Sequence, residues 1–201
     1  VTMPGFGASD RTHSNAVKLM ELLGVTTIEM SIRELAAQHL HDLDHSLDIH
    51  DITYENAQAR LRTLILMDLA NQHNGLVVGT GDMSELALGW ATYCGDQMSM
   101  YGVNAGVPKT LVRYMVRYAA ESLFNEETRR ILLDVVDTPV SPELLPADEN
   151  GQIAQKTEDK VGPYELHDFF IYYFLRFGFS REKIAYMASV AFEDQYTPEQ
   201  I

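Results

Sequence analysis

Residues 76–109 read LVVGTGDMSELALGWATYCGDQMSMYGVNAGVPK and contain the strand, turn and helix signals on which the fold prediction rests. The stretch opens with three apolar residues typical of a buried strand and then reaches the glycine turn GTGD at residues 79–82. A helical pattern follows over residues 83–88 and ends at Gly89. In an open parallel sheet, ligands bind beyond the carboxyl ends of the strands. The stretch therefore predicts a ligand site on an α/β domain.

The rest of the chain alternates segments of strand and helix periodicity. Strands are predicted at residues 1–3, 25–32 and 76–80, and strands separated by helices imply parallel pairing with right-handed crossovers. The first predicted helix is capped by Ser9 or Asp10 and ends at Gly24, and another starts at Pro108. Further helices are predicted at residues 33–43, 53–73, 83–88, 126–136, 163–177 and 180–192. Residues 138–161 are predicted to form a loop with a turn at 142–144. The fold class is therefore α/β, a parallel sheet flanked by helices, and the small number of strands fits a domain truncated at the N-terminus.

Composition narrows the class of protein. Hydrophobic residues make up 46% of the chain and charged residues 22%, which is ordinary for a folded globular domain. No apolar run approaches the ~20 residues that cross a bilayer. The single cysteine, Cys94, excludes an internal disulfide and suits the cytoplasm. A net charge of −14 disfavours nucleic acid and anionic membranes as partners, so a polyanion such as ATP would need local cationic side chains and a divalent cation.

Asp82 and Glu85 stand three residues apart where the helix after the turn begins, and this spacing has two interpretations. One is a capping box, in which each side chain accepts a hydrogen bond from the backbone N–H of the other residue. The other makes Glu85 a ligand of Mg²⁺, which prefers one or two carboxylates together with phosphate oxygens. The spacing alone favours the capping box.

Asn56, Arg60 and Thr63 recur at helical spacing and predict a polar stripe on the helix at residues 53–73. An exposed helix face is one interpretation of this stripe. Contact with a phosphate or a ribose is the other, because a guanidinium group pairs with phosphate through two hydrogen bonds. Arg62 points in another direction on the same helix.

Three further features favour a structural role. The histidine cluster at residues 39–50 matches no metal-binding spacing and favours a solvated segment over a metal site. Cys94 has no recognisable catalytic partner. The aromatic run at residues 169–177 favours a core or a subunit contact over a cofactor site. From the residues alone, the chain is predicted to be an α/β domain that binds a phosphate-bearing ligand with Mg²⁺.

Nearly the whole chain resembles the synthetase domain of glutamine-dependent NAD⁺ synthetases. The resemblance rests on GTGDMSELALGWATY (residues 79–93), GDQMS (95–99) and YGVNAGVPKT (101–110), and continues through HDITYENAQARLRT (50–63), TPVSPELLP (138–146) and QKTEDKVGPYELHDFF (155–170). It implies an adenine-nucleotide α-hydrolase-like fold of the ATP pyrophosphatase type. It also implies a reaction in which ATP adenylates the nicotinate carboxylate of deamido-NAD⁺ and ammonia then displaces AMP. In such enzymes, a nitrilase-like glutaminase domain supplies the ammonia.

The resemblance also implies roles for residues at the matching positions. Asp96 would be the catalytic carboxylate that meets the incoming ammonia, and Glu85 would bind Mg²⁺ as well as contact deamido-NAD⁺. The implied ATP contacts are Thr80, Lys109, Ser141 and Arg62, and the implied deamido-NAD⁺ contacts are Asn56, Arg60, Glu85, Trp90, Ala91, Thr92 and Tyr93. Met100 stands where ammonia-dependent members carry a second acid, so this part of the substrate contact differs here.

Some parts of the family pattern do not occur in these residues. They are the pyrophosphate loop Ser-Gly-Gly-x-Asp-Ser, the nitrilase-like domain and a C-terminal segment with a substrate-binding lysine, so residues 1–201 are expected to be a partial NAD⁺ synthetase domain. We expect this piece alone to lack synthetase activity, because backbone N–H groups of that loop bind the phosphates. The alternative is a non-catalytic nucleotide-binding module. A third possibility, another ATP pyrophosphatase such as GMP synthetase, is disfavoured because it lacks the GTGDxSELALGWxTY run. We also expect a cytoplasmic homo-oligomer.

Overall fold

The computed structural model describes residues 1–7, 10–141, 144–146 and 157–201. In chain order, the elements are α1 (Asp10–Leu22), α2 (Arg33–Asp42), α3 (Ile52–Gln72), β1 (Val78–Gly79), α4 (Met83–Leu88), β2 (Tyr101–Gly102), α5 (Lys109–Ser122), α6 (Glu126–Val136), α7 (Glu158–Val161), α8 (Tyr164–Phe177) and α9 (Arg181–Ala191). Helix α5 packs on α6, α1 covers α6, α2 lies against α3, and α8 contacts both α4 and α5. Over these ranges, every helix is too short or too polar to cross a membrane.

Two short parallel pairings form the sheet part of the fold. β1 pairs with β2, with Val78 opposite Tyr101. Thr2 forms an isolated parallel bridge with Glu29, and this pairing ends at Pro4, which has no backbone N–H to donate. The predicted parallel arrangement is therefore confirmed.

The strand predictions differ from the structure in two details. A strand over the whole of residues 25–32 is wrong in extent, because this segment pairs only with the few residues around Thr2. The sequence prediction does not contain β2 either. Two residues within a loop rich in Gly, Asn and Ser carry no alternating pattern that would reveal a strand.

The helix predictions are confirmed for the major helices, and side chains cap several helix starts. Asp51 accepts hydrogen bonds from the N–H groups of Thr53 and Tyr54 at 2.9 and 3.1 Å where α3 begins. Asn125 and Ser180 cap α6 and α9 in the same manner. Such caps satisfy N–H groups that have no partner within the helix.

Two boundaries differ from the prediction. Pro108 occupies the N-cap position before α5 rather than the first turn. α7 lies inside the predicted loop at residues 138–161, because four residues are too few to show helical periodicity. The predicted cap Ser9 and most of the turn at 142–144 lie outside the described residues.

The side chain of Gln58 joins three parts of the chain in the interior. It is fully buried on α3. Its Oε1 accepts the Phe6 N–H at 2.9 Å, while its Nε2 donates to the carbonyl oxygens of Tyr54 at 3.2 Å and Leu144 at 2.9 Å. Gly5 is required beside it, because a Cβ there would lie 2.6 Å from Gln58 Oε1. The glutamine therefore fixes the N-terminal turn and the segment around Leu144 against α3.

Aromatic rings join α8 to α9. Phe169 packs against Tyr173 and Phe192 with ring centroids 4.6 and 5.3 Å apart, and Tyr173 stacks on Phe179 at 5.9 Å. Phe174, on another face of α8, is 62% exposed. One face of the aromatic run therefore packs against neighbouring rings while the other is open to solvent, and none of its side chains belongs to the fully buried core.

Gln58→Leu should lower the free energy of unfolding by about 2–4 kcal/mol, because the Phe6 N–H and the Leu144 carbonyl would stay buried without this partner. Urea denaturation followed by circular dichroism measures the change. Gln38→Leu is the matched control, since exposed Gln38 donates to Asp42 at 2.7 Å. Loss of this exposed hydrogen bond should change the free energy of unfolding by no more than about 0.5 kcal/mol. Equal losses in the two variants would contradict the role assigned to Gln58.

Candidate functional site

A cleft of about 580 Å³ lies where α3, the carboxyl end of β1 and the loop after α4 meet. Predicted site residues that line it are Asn56, Arg62, Thr80, Glu85, Trp90, Ala91, Thr92, Asp96 and Ser141. Of the others, Lys109 contacts Glu85 of the lining, whereas Arg60 and Tyr93 lie outside the lining, where Arg60 donates to the Tyr93 carbonyl and the Tyr93 side chain is 74% exposed. A smaller cavity of about 140 Å³ shares Thr80, Glu85 and Asp96 with the cleft. The predicted site residues are therefore brought together in one region.

The carboxyl ends of the strand segments form one side of the cleft. Arg62 Nε donates to the Met3 carbonyl at 3.1 Å, which holds the arginine beside the first of these ends. Gly79 lies at the carboxyl end of β1, the second of these strand ends. A Cβ on Gly79 would lie 2.7 Å from Ser99 Cβ, so this glycine is needed for packing between β1 and the loop before β2.

Asp82 and Glu85 form the capping box that their spacing predicts. The Glu85 N–H donates to Asp82 Oδ1 at 3.0 Å, and the Asp82 N–H donates to Glu85 Oε2 at 3.2 Å. The other two carboxylate oxygens face Lys109, whose Nζ lies 2.8 Å from Asp82 Oδ2 and 2.8 Å from Glu85 Oε1. The structure thus confirms the capping interpretation and adds a lysine that pairs with both acids.

The Lys109 ammonium group is largely withdrawn from solvent. The side chain of Lys109 is 14% exposed, that of Asp82 5% and that of Glu85 27%. Burial lowers the pKa of Lys109, but hydrogen bonds to Asp82 and Glu85 and the charges of these acids outweigh burial and raise the pKa above its ordinary value. The Tyr164 ring lies 5.0 Å from the ammonium, and burial raises the pKa of Tyr164 to about 12. The lysine is therefore charged, and the tyrosine neutral, at physiological pH.

Glu85 is the predicted ligand of Mg²⁺, and its neighbours bear on this prediction. Both carboxylate oxygens of Glu85 accept hydrogen bonds, one from Lys109 and one from the Asp82 N–H. In the described part of the chain, no three or more His, Cys, Asp or Glu side chains are grouped so that they could hold a metal ion. Mg²⁺ commonly takes only one or two carboxylates and completes its shell with water and phosphate oxygens. Glu85 could be one such carboxylate, and its contact with Mg²⁺ stays a prediction.

The histidine cluster at residues 39–50 is separate from the cleft. His45 Nε2 lies 3.1 Å from Asp51 Oδ1, and the His50 ring packs against Tyr54 with centroids 4.8 Å apart. His39 is exposed on α2. The exposure of His39 agrees with the solvated segment that the spacing predicts, whereas the His45 side chain is only 14% exposed.

The polar stripe on α3 holds the loop after α4. Thr92 Oγ1 donates to Asn56 Oδ1 at 2.8 Å. Arg60 Nε donates to the Tyr93 carbonyl at 3.0 Å, and Thr63 Oγ1 donates to a second loop carbonyl, that of Gly95, at 2.7 Å. An exposed face is therefore the wrong interpretation for Thr63, which is buried, whereas Arg60 is exposed although it also contacts the loop. Contact of Asn56 and Arg60 with a phosphate or a ribose stays a prediction.

Asp96 lies at the end of this loop and lines both the cleft and the smaller cavity. Its Oδ1 accepts the Thr92 N–H at 2.8 Å, which fixes the direction of the carboxylate. Between them, Cys94 is exposed and adopts a left-handed backbone with φ of 58°. The exposure of Cys94 and the tight turn around it agree with a bystander role for the cysteine.

Sequence reasoning missed four polar residues beside and behind the cleft, namely Ser84, Thr110, Tyr164 and Asp168. Ser84 and Asp168 are buried, and the Ser84 hydroxyl donates to Asp168 Oδ1. Tyr164 lines the cleft, and its buried hydroxyl has no hydrogen-bond partner within the described residues. An aspartate within the apolar run LHDFFIYY was a usable signal for Asp168. The sequence contains no such signal for Ser84 and Thr110, because their common partner, Asp168, is distant in the sequence.

Comparison with known sequences extends these observations. The family described as NAD synthase matches residues 1–193. A glutamine-dependent NAD(+) synthetase of Mycobacterium leprae is 49% identical over 199 residues, which cover 96% of this chain and 29% of that protein. The chain therefore spans less than a third of the length of this curated relative.

Solved structures share the fold. NMN synthetase from Francisella tularensis superposes with a TM-score of 0.69 at 22% identity, over 97% of this chain and 74% of that one. Glutamine-dependent NAD+ synthetase from Acinetobacter baumannii, in complex with adenosine diphosphate, gives 0.59 at 24% identity, over 99% of this chain and 36% of that one. The predicted fold class, a parallel sheet flanked by helices, is confirmed.

Lys109→Met should lower the free energy of unfolding at pH 7 by about 2–4 kcal/mol, because two largely buried carboxylates would lose their shared cation. The raised pKa of Lys109 means that its stabilising effect is complete below the ordinary lysine pKa of 10.5 and is lost as the pH rises through the folded-state pKa. The difference between wild type and variant should therefore shrink above pH 10.5. Urea denaturation at a series of pH values measures it.

Lys18→Met is the control for this prediction. Lys18 Nζ also faces two carboxylates, Glu21 at 3.9 Å and Glu127 at 3.3 Å, but its side chain is 46% exposed. Its loss should change stability by at most about 1 kcal/mol. A Lys109→Met cost no greater than the Lys18→Met cost would show that burial adds nothing to the Lys109 pairing.

Proposed function

The chain belongs to the NAD synthase family, and from this premise we propose that it forms the synthetase site of a glutamine-dependent NAD⁺ synthetase. In the proposed reaction, the nicotinate carboxylate of deamido-NAD⁺ attacks the α-phosphate of ATP, which releases diphosphate and leaves an adenylate. Ammonia then attacks the carbonyl carbon of the adenylate, and AMP leaves as NAD⁺ forms. The observation that carries the proposal is a single cleft lined by residues predicted to contact ATP, deamido-NAD⁺ and ammonia.

Residues 1–201 are one part of the proposed enzyme, a partial synthetase domain. The chain spans 29% of the length of the Mycobacterium leprae relative, so most of the proposed polypeptide lies outside these residues. A nitrilase-like domain in that remainder hydrolyses glutamine and supplies the ammonia. The pyrophosphate loop also lies outside residues 1–201 in the proposed enzyme.

Lys109 and neighbouring side chains hold ATP in the proposed complex. The Lys109 ammonium stands beside Glu85, which lines the cleft, and a flexible lysine side chain can turn from a carboxylate to a phosphate. Thr80 and Ser141 line the same cleft and offer hydroxyl groups, while Arg62 adds a guanidinium group. The ADP complex of the Acinetobacter baumannii enzyme supports nucleotide binding by this fold.

Glu85 holds Mg²⁺ in the proposed complex, together with phosphate oxygens and water. The bound ion supplies charge neutralisation on those oxygens when diphosphate leaves. Glu85 can release Lys109 to the phosphates once another cation offsets its carboxylate.

The loop after α4 binds deamido-NAD⁺ in the proposed complex. Trp90 lines the cleft and is 37% exposed, so one face of its indole ring is available to stack on a pyridine ring. Ala91 lies beside it in the lining. Asn56 and Thr92 hydrogen-bond to each other at 2.8 Å, which holds two polar groups at this wall. Arg60, held by the Tyr93 carbonyl, keeps a cation near the substrate phosphates.

Asp96 is the catalytic carboxylate of the amidation step. It borders both cavities, which suits a residue that meets ammonia on one side and the adenylate on the other. Its carboxylate takes a proton from ammonium, and the nitrogen lone pair of the resulting ammonia attacks the carbonyl carbon. The hydrogen bond from the Thr92 N–H orients the carboxylate for this transfer.

The proposed enzyme is a homo-oligomer in the cytoplasm. Helix α5 exposes an apolar stripe at helical spacing, formed by Leu111, Tyr114, Met115 and Tyr118, which are between 47% and 72% exposed. Large exposed apolar side chains on one helix face are typical of a subunit contact. Light scattering of the complete synthetase should give a multiple of the subunit mass, and a monomer mass would contradict this part of the proposal.

Asp96→Asn in the complete synthetase should slow NAD⁺ formation from ammonium by about 100-fold, because the asparagine cannot accept the proton. Exchange of labelled diphosphate into ATP, which requires deamido-NAD⁺ and reports adenylation, should stay within about threefold of wild type. Asparagine keeps an acceptor oxygen for the Thr92 N–H, so the loop is preserved. Both rates are measured with Mg²⁺ present and after its removal by EDTA, which should abolish them.

Asp137→Asn is the matched control, because exposed Asp137 pairs with Arg117 at 3.3 Å on a remote surface and neither rate should change. Loss of exchange in the Asp96 variant would move this residue to the adenylation step. A wild-type synthetase without exchange and without NAD⁺ formation would refute the proposed function. Binding of ADP without either activity would then favour the non-catalytic nucleotide-binding module.

A further inference from the structure

We infer that Asp168 is a positioning residue that sets the placement of Lys109 relative to Glu85 from behind the cleft. Asp168 lies on α8, is 6% exposed, and is not among the residues that line the cleft. Asp168 would affect the proposed reaction only through Lys109 and Glu85, so its role in catalysis rests on the proposed function. The contacts themselves are properties of the fold.

The Asp168 carboxylate joins three helices. Its Oδ2 accepts two hydrogen bonds from Thr110 at the start of α5, one from the N–H at 2.8 Å and one from Oγ1 at 2.6 Å. Its Oδ1 accepts the hydroxyl proton of Ser84 on α4. A single side chain of α8 thus binds both helices that carry the charged groups beside the cleft.

Ser84 continues this network to Lys109. The Ser84 Oγ accepts the Lys109 N–H at 2.9 Å while its proton goes to Asp168. Ser84 is fully buried, and it lies directly between Asp82 and Glu85 in the capping box. The backbone of Lys109 is therefore hydrogen-bonded to the same short helix whose acids bind its ammonium group.

Helix α5 needs this network because its own N-cap is a proline. Pro108 offers no side-chain oxygen to the first N–H groups of α5. Asp168 and Ser84 accept those of Thr110 and Lys109 instead. A carboxylate is also favoured at a helix N-terminus, where the helix dipole is positive. Since these N–H groups are taken, the Lys109 side chain, rather than the α5 backbone, is left to meet a phosphate.

The network controls a geometry that the proposed reaction needs. Lys109 Nζ is 2.8 Å from both Asp82 Oδ2 and Glu85 Oε1, an arrangement that depends on how α5 sits against α4. Site residues must be held to within about 0.5 Å by the groups that support them. Asp168 provides this support through hydrogen bonds to a carboxylate that is itself buried, as is the Ser84 side chain.

The simpler alternative is that Asp168 only stabilises the fold as a helix cap. A double-mutant cycle in the chain itself separates the two roles and does not depend on any activity. If Asp168 positions Lys109, Lys109→Met should cost about half or less in an Asp168→Asn background of what it costs in wild type, as measured by urea denaturation. Lys18→Met should cost the same in both backgrounds. A Lys109→Met cost that is equal in both backgrounds would overturn the inference.

The complete synthetase gives the second measurement. Asp168→Asn replaces one acceptor oxygen by an NH₂ group that faces hydroxyl and N–H donors, so the KM for ATP in the exchange assay should rise about tenfold while kcat changes about twofold or less. Asn125→Ala is the control, because it removes the remote cap of α6 and should lower stability without changing KM. Equal KM values in the Asp168 variant and wild type would reduce Asp168 to a structural cap.

A matched pair at Thr110 covers the case in which the Asp168 variant does not fold. Thr110→Ser keeps the hydroxyl that donates to Asp168, whereas Thr110→Val has the same shape as threonine but lacks it. The valine variant should raise the KM for ATP more than the serine variant does. The reverse order would count against the network. Absence of exchange in wild type would refute the proposed function but leave the double-mutant cycle as a valid test of Asp168.

Discussion

A largely buried lysine that faces two carboxylates is the interaction on which the site depends. The capping box at the start of α4 places Asp82 and Glu85 side by side, and two like charges in a partly buried position require a nearby cation. Lys109 supplies it from α5 at 2.8 Å from each acid. Such a pairing is stable only when its geometry is fixed, since withdrawing ions from water is costly. The junction of α4, α5 and α8 supplies that geometry through Asp168 and Ser84.

Helix α3 links the core of the protein to the loop of the site. Positions 56 and 58 are about 200° apart around the helix, so they face different surroundings. Gln58 points into the interior and binds the N-terminal turn and the segment around Leu144. Asn56, together with Arg60 one turn later, contacts the loop after α4 instead. Because one rigid element does both, the position of the loop is tied to the packing of the core.

The features predicted correctly from the sequence are those that depend on neighbouring residues. Asp82 and Glu85 predict a capping box because the whole motif lies within four residues. Gly89 ends α4 in the left-handed conformation that glycine favours. Lys109 is 24 residues from Glu85 and farther from Asp82, so its pairing with these acids depends on how two helices dock, which no local pattern contains. The contact between Asp168 and Thr110 spans 58 residues and is hidden for the same reason. The site residues were predicted from the family resemblance, because spacing alone left the roles of Glu85 and Arg60 open.

Local charge explains how an acidic chain can serve a polyanionic substrate in the proposed reaction. The chain carries a net charge of −14, but ions screen charges beyond about 8 Å at physiological salt, so the groups nearest the cleft decide. Within the group formed by Lys109, Asp82 and Glu85, one negative charge is in excess, although Arg62 and Lys160 also line the cleft. A phosphate that approached Lys109 alone would be repelled by the two acids, and a divalent cation alone would compete with the lysine already in place. Together they reverse the balance, because the cation offsets Glu85 while Lys109 turns to the phosphate. In the proposed reaction, nucleotide and metal binding would therefore be coupled through Lys109, which pairs with both acids in this structure.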